Sequence, residues 1–293
     1  MQTIPAKTIV TRTKDTSWFG LDYNMNIYRG CCHGCIYCDS RSECYHNDDF
    51  DTVKVKENAL QIIRDDLRRK VKTGVVGTGS MSDPYNPFER ELELTRHALE
   101  LCDAFGFGVG IATKSPLILR DRDVLLDIRS HSPVLIKMTA TAADDALCRK
   151  VEPNVAPTSE RLQALAALAS EGLFCGVLLM PVLPFIEDSE ENVRALVRLA
   201  QESGARFVYP AFGVTLRDRQ RQHFYRQLDL RFPGLRARYE RVYKERYECR
   251  TPNFGQLWRA FSEECEARGL LYRMSDIVRA YKAGYGNSQL SLF

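Results

Sequence analysis

The chain has 293 residues, 44% hydrophobic and 27% charged, enough for one large α/β domain or two small ones. A net charge of +3 is too small to identify a partner. No apolar run is long enough to span a bilayer, so a membrane role is not expected. The first residues, Met1 to Pro5, lack the apolar stretch of a signal peptide, and a cytoplasmic location is expected. Ten cysteines in a reducing compartment point to metal ligands and buried thiols, not disulfides.

In chain order, residues 23–30 alternate loosely and predict a first strand. Ten residues follow, Cys31-Cys32-His33-Gly34-Cys35-Ile36-Tyr37-Cys38-Asp39-Ser40. Cys31, Cys35 and Cys38 have the spacing C-x3-C-x2-C, and Gly30 and Gly34 let the backbone turn beside them. A compact loop of this kind can aim three thiolates at one centre. Three thiolates hold three corners of a [4Fe–4S] cube and leave the fourth iron open to an outside ligand. A zinc site or three buried thiols are the competing readings; zinc sites usually come as paired C-x2-C or Cys/His sets, and no second pair follows. Cys32 is the spare and is read as structural.

Residues 57–71 carry a helical stripe at Leu60, Ile63, Leu67 and Val71. Then come a strand at 74–79, a helix at 89–105, a strand at 108–113, a helix at 119–128 and a strand at 134–139. A helix capped by Thr158 or Ser159 ends at Gly172. The strand 175–180 stops at Pro181. Asp188, with Glu191 three residues on, caps a helix that closes at Gly204. The strand 206–209 stops at Pro210. Six alternations predict a parallel sheet with right-handed crossovers, curled into an open, partial barrel of the TIM type. Chemistry in barrels sits at the C-terminal ends of strands. There the chain places Ser80, Met81, Ser82, Asp83 and Tyr85, then Thr113 and Lys114, then Thr139 and Thr141.

The segments around these residues narrow the reading. They are Ser17-Trp18-Phe19-Gly20, the stretch from Asn26 to Cys38, Ser82-Asp83-Pro84-Tyr85, Thr113-Lys114 and Glu152-Pro153. Together they resemble the radical S-adenosylmethionine (SAM) superfamily and, within it, the spore photoproduct lyase-like family, over roughly residues 8 to 215. The resemblance implies a (β/α)6 partial barrel, a [4Fe–4S] cluster on Cys31, Cys35 and Cys38, and SAM on the open iron. It implies reductive cleavage of SAM to a 5′-deoxyadenosyl radical, an electron donor such as flavodoxin or ferredoxin, and a nucleic-acid substrate, with DNA repair foremost. Matched residue by residue, Ser82, Asp83, Lys114 and Thr139 line the SAM pocket and Tyr37 touches the adenine side; Ser80 and Met180 complete the expected set. Two departures stand out. True spore photoproduct lyases carry a hydrogen-donating cysteine where this chain has Ser80, with Met81 in place of the following threonine. They also carry a tyrosine after the last cluster cysteine, where this chain has Asp39. The chain therefore reads as a lyase-like relative whose hydrogen donor is unknown; Cys44 and Cys148 are more readily structural than donors.

Beyond residue 215, residues 216–284 predict a helical, basic extension packed on the barrel. Arginines crowd residues 206–250 among interleaved aromatics. Arg217, Arg219, Arg221 and Arg226 are the candidate phosphate contacts, against the plainer reading of solvated amphipathic helices with aromatics inward. Further helices are expected at 253–269 and 275–283, with Leu257, Trp258 and Phe261 packed. A tail over 285–293 ends in Gln289-Leu290-Ser291-Leu292-Phe293, which resembles the pentapeptide that docks bacterial repair proteins on the DNA sliding clamp. The rival functions are radical modification of RNA or protein, and a clamp-associated DNA-binding protein with a structural or redox-sensing cluster.

Overall fold

A computed structural model describes residues 2–285; the C-terminal pentapeptide lies outside the described residues. Eleven strands form among them: β1 (Gln2–Ile4), β2 (Val10–Arg12), β3 (Tyr23–Met25), β4 (Tyr28–Arg29), β5 (Lys54–Lys56), β6 (Val75–Thr78), β7 (Gly108–Thr113), β8 (Val134–Thr139), β9 (Phe174–Val182), β10 (Phe207–Thr215) and β11 (Glu248–Arg250). The main sheet runs β11-β10-β9-β8-β7-β6-β3-β2. Its six central strands, β3 and β6 to β10, are parallel, and β2 and β11 flank them antiparallel. β1, β5 and β4 make a small second sheet.

The two outer strands are not joined, so the barrel is open. It is nevertheless curled, because the segment just before β3 reaches β10 at the other side of the parallel set. Trp18 and Phe19 pack edge-on against Tyr209, and Phe19 lies 5.8 Å from Phe207, centroid to centroid. Leu21 from the same segment plugs the interior. It fits because Gly77 and Gly110 face it; a Cβ on either would come within 2.6 and 2.5 Å of its methyl carbons. Behind this plug packs the last helix, Met274–Lys282, whose Tyr281 hydroxyl donates to the Phe19 carbonyl at 2.7 Å.

Several local expectations are corrected. Residues 23–30 form two strands in different sheets, because Tyr28–Arg29 turns away to pair with β5. Neither Pro181 nor Pro210 ends its strand. β9 runs on to Val182, and β10 absorbs Pro210 in a register shift before Phe212. The helix expected at 89–105 breaks at Glu93, which adopts φ 48°. Ser189, not Asp188, caps the helix Glu190–Glu202, accepting from the Asn192 amide; Asp188 accepts from the Phe185 amide one turn earlier. Pro157 precedes the helix Thr158–Ser170, while Thr158 and Ser159 bond to Ala142 and Asp145. A helix over Asp145–Val151 had no clear periodic signal; Asp144 caps it.

The extension contains the helices Asp218–Arg231 and Leu235–Tyr243. Their Phe224, Tyr225, Tyr239 and Tyr243 are buried in one apolar cluster with Cys35, Ile36 and Tyr37. The extension therefore shares its core with the cysteine loop, and these aromatics are not free to stack on bases. Leu257 and Phe261 are buried as expected, but Trp258 is partly exposed. Among the described residues, no helix is long and apolar enough to cross a membrane.

Candidate active site

The C-terminal ends of the parallel strands open into a cavity of about 450 Å³. Cys31, Cys35 and Cys38 line it, and so do all seven residues expected around SAM: Tyr37, Ser80, Ser82, Asp83, Lys114, Thr139 and Met180. Cys32, Cys44 and Cys148 do not. Thr141 is also turned away, donating to buried Glu187 at 2.7 Å.

The cysteine loop is pinned on three sides. Gly30 (φ 83°) lies so close to the Thr52 carbonyl that no side chain fits, and the Cys31 amide donates to Phe50 at 2.8 Å. Gly34 (φ 69°) would put a Cβ 3.0 Å from Asn154, whose side chain donates to the Cys32 carbonyl and whose amide donates to the His33 carbonyl. The Ile36 amide donates to the Val151 carbonyl at 3.0 Å. On the third side, Gln220 donates to the Tyr37 carbonyl at 3.0 Å. Asp39 accepts from Arg217 (2.7 Å), Tyr45 (3.0 Å) and Thr215 (3.2 Å).

These contacts redirect the arginines read as a phosphate-binding surface. Arg217 pairs with Asp39 and lies between the rings of Tyr45 and Tyr247. Arg219 pairs with Asp48 at 2.7 Å. Arg221 donates to the carbonyls of Leu216, Lys244 and Arg246. All three are engaged within the protein, two of them clamping the cysteine loop and its continuation. Of the four, Arg226 alone is exposed.

Asp83 acts as a fastener between strand ends. Its carboxylate accepts from the Tyr85 amide, the Thr113 hydroxyl (2.7 Å) and the Lys114 amide (2.8 Å), and His33 lies 3.6 Å away. Ser82 donates to the Tyr28 carbonyl. Both therefore shape the mouth through the backbone more than by offering free polar atoms.

The residue missed as a site member is Glu152, buried beneath the loop. Arg161 lies 2.6 Å from one carboxylate oxygen; Lys114 lies 3.9 Å from the other, which also accepts from the Tyr37 hydroxyl. Burial pushes this carboxyl up, but Arg161 and then Lys114 more than offset it and hold it below its ordinary range. Burial and then Glu152 push the Tyr37 hydroxyl far up. Burial lowers Lys114, yet Cys35 and Glu152 raise it overall. The Glu-Pro pair was visible in the chain, but nothing there joined it to Arg161.

Burial also raises all three thiols, Cys31 to about 12, and the charge of Cys38 adds to the rise at Cys31 and Cys35. Left to themselves they stay protonated; a cationic metal group replaces those protons. Among the described residues, no three His, Cys, Asp or Glu side chains are spaced to share one ion. Three thiols on one cavity wall can hold three corners of a [4Fe–4S] cube and leave the fourth iron open.

A profile of the radical SAM superfamily matches residues 25–197, more than half of the chain. An uncharacterised protein of Mycobacterium tuberculosis is 31% identical over 245 residues, covering 81% of this chain and 72% of the relative. One from Methanocaldococcus jannaschii is 31% identical over 174 residues, 58% and 64% of the two chains. Among solved structures, a spore photoproduct lyase mutant with bound AdoMet and dinucleoside spore photoproduct superposes with a TM-score of 0.67 at 13% identity, over 90% of this chain and 79% of that one. The radical SAM methyltransferase TsrM from Kitasatospora setae, with cobalamin and a [4Fe–4S] cluster, gives 0.57 at 14% identity, over 88% and 60%.

Proposed function

The chain belongs to the radical SAM superfamily, and from that premise we propose that Cys31, Cys35 and Cys38 hold its [4Fe–4S] cluster and that its substrate is nucleic acid, damaged DNA foremost. It is a radical SAM enzyme with a [4Fe–4S] cluster and SAM as cofactors. When bound, these supply an electron to the sulfonium and so a 5′-deoxyadenosyl radical that abstracts hydrogen. The observation that carries the assignment is one cavity lined by the three thiols together with every residue expected around SAM.

The chain's own residues orient and exclude. Tyr37, locked to Glu152, presents its ring inside the mouth, and Lys114 holds its ammonium 5.8 Å from that ring. Asp83 keeps the ends of β6 and β7 together. The buried Glu152–Arg161 pair fixes the loop from below through the Tyr37 hydroxyl. The DNA reading is supported by the dinucleoside bound to the similar lyase structure and by Trp18, 38% exposed on the cavity wall, where a base can stack. No thiol besides the three lines the cavity among the described residues, and Ser80 occupies the wall. A serine O–H bond is too strong to return hydrogen readily, so the reaction differs from that of the spore lyase at its last step. The same reading makes residues 289–293 a tether to the sliding clamp.

Anaerobically reconstituted protein with dithionite and SAM is expected to release 5′-deoxyadenosine, faster with ultraviolet-irradiated DNA than with intact DNA or tRNA. Cys35→Ala is expected to lose the cluster signal and the product while keeping its circular dichroism. A protein with an intact cluster that forms no 5′-deoxyadenosine with any of these substrates overturns the enzymatic assignment, and acceleration by tRNA alone overturns DNA.

A further inference from the structure

Beneath the mouth sits a second lysine with no role in the network above. Lys137 lies on β8 two residues before Thr139, about 6–7 Å deeper along the strand. It is 2% exposed, and what little surface it keeps lines the cavity. Its register partners are Ala112 on β7 and Gly176 on β9, both too small to cover it.

Among the described residues, Lys137 makes no hydrogen bond and no ion pair. Its ammonium position is 4.9 Å from the centroid of the Phe19 ring, and a Cβ on Gly110 would stand 3.7 Å from it. Phe19 and Leu21 of the plug and Leu178 of β9, all apolar, line the cavity with it; polar Asn24 also lines the cavity, and its amide donates to Thr13. The ring cannot compensate for burial. A cation–π contact is worth less than the desolvation cost of an unpaired buried charge. The two other cations nearby, buried Arg161 and partly buried Lys114, both have Glu152. Burial alone lowers Lys137, to about 7, with no neighbouring charge contributing. A methionine of similar length would fill the same space without that cost, so the amine is explained by something that enters the cavity.

We propose that Lys137 is a substrate-binding residue, whose amine at the floor of the barrel receives an anionic oxygen group, a phosphodiester or a carboxylate, of the substrate. This rests on the cavity being the active site but not on SAM cleavage. The site therefore selects acidic substrates, and the anion restores the charge balance that the chain leaves open.

The test uses the reconstituted holoenzyme, with and without SAM, labelled briefly with acetic anhydride and read by peptide mass spectrometry at Lys137. Thymidylyl-(3′,5′)-thymidine is expected to cut Lys137 acetylation at least fivefold, and thymidine to leave it unchanged. Inorganic phosphate and acetate, run separately, distinguish the two oxyanion sources; protection by either supports the claim. Equal protection by thymidine and the dinucleotide overturns it, and so does a lysine that no condition labels. Protection by SAM alone, with nothing added by the other probes, assigns the anion to the cofactor and overturns the substrate reading. In a parallel arm, Lys137→Met is expected to weaken binding of the protecting probe at least tenfold in equilibrium dialysis, with Lys137→Arg recovering part of it. Unchanged affinity in Lys137→Met overturns the proposal. These readouts do not require turnover, so they stand even if no 5′-deoxyadenosine forms.

Discussion

The mouth and the floor of the barrel treat buried charge in opposite ways. At the mouth, Glu152 gathers Arg161, Lys114 and the Tyr37 hydroxyl, so each buried charge meets another and the cysteine loop rests on the result. At the floor, Lys137 stands among apolar side chains with only a ring face for company. The first arrangement is complete before anything binds. The second is incomplete, and its missing half must arrive from outside. A closed network sets geometry, whereas an open charge selects a ligand.

The sharpest way to break this comparison is to remove the hub of the mouth. Glu152→Ala leaves the Arg161 guanidinium buried without a counter-charge and removes the partner of partly exposed Lys114, and a loss of about 3–5 kcal/mol in urea unfolding is expected. A loss below about 1 kcal/mol would mean that the network is not closed.

The floor answers with the opposite sign. Folded Lys137 binds its proton more weakly than the unfolded chain does, titrating near 7 instead of 10.5. Between those values the unfolded state holds the extra proton, so this group makes stability rise with pH, by up to about 1.4 kcal/mol per unit. Below 7 the full cost is present. Lys137→Met is therefore expected to be more stable than the parent by a few kcal/mol at pH 6.5. That advantage should shrink through the interval and vanish near pH 10.5. No carboxylate faces the group from the plug, β7 or β9 to distort the profile. A variant less stable than its parent at pH 6.5 would show that the amine has a structural partner.

The smallest expected effect is at the clamp between extension and loop. Arg217 and Asp39 are each about one-third exposed, so Arg217→Ala is expected to cost only about 0.5–1 kcal/mol. DNA affinity should change less than twofold, because the guanidinium faces Asp39. A tenfold loss would return Arg217 to the nucleic-acid surface.

The cysteine spacing, the six alternations and the polar residues at the strand ends were legible because each depends on local order. C-x3-C-x2-C brings three thiols to one loop, and the apolar periods of strand and helix are written residue by residue. Proline misled the reading of β9 and β10, since a bulge or a ladder position needing no N–H depends on the neighbouring strand. The arginine-rich stretch was legible as charge but not as a set of partners. Charge can be counted from sequence, but Asp39, Asp48 and the carbonyls that occupy those arginines come from distant parts of the chain or from the fold of the backbone.

By itself the sequence determined the superfamily, the parallel α/β sheet of an open barrel and the three-cysteine loop, all properties of short spacings and periodic burial. Only the tertiary structure decided that Glu152 joins Arg161 beneath the loop, that the extension braces the loop, and that Lys137 is left alone on the floor. The physical reason is that a charge's fate depends on what lies within a few ångströms after folding, and those neighbours are set by packing between elements far apart in the chain.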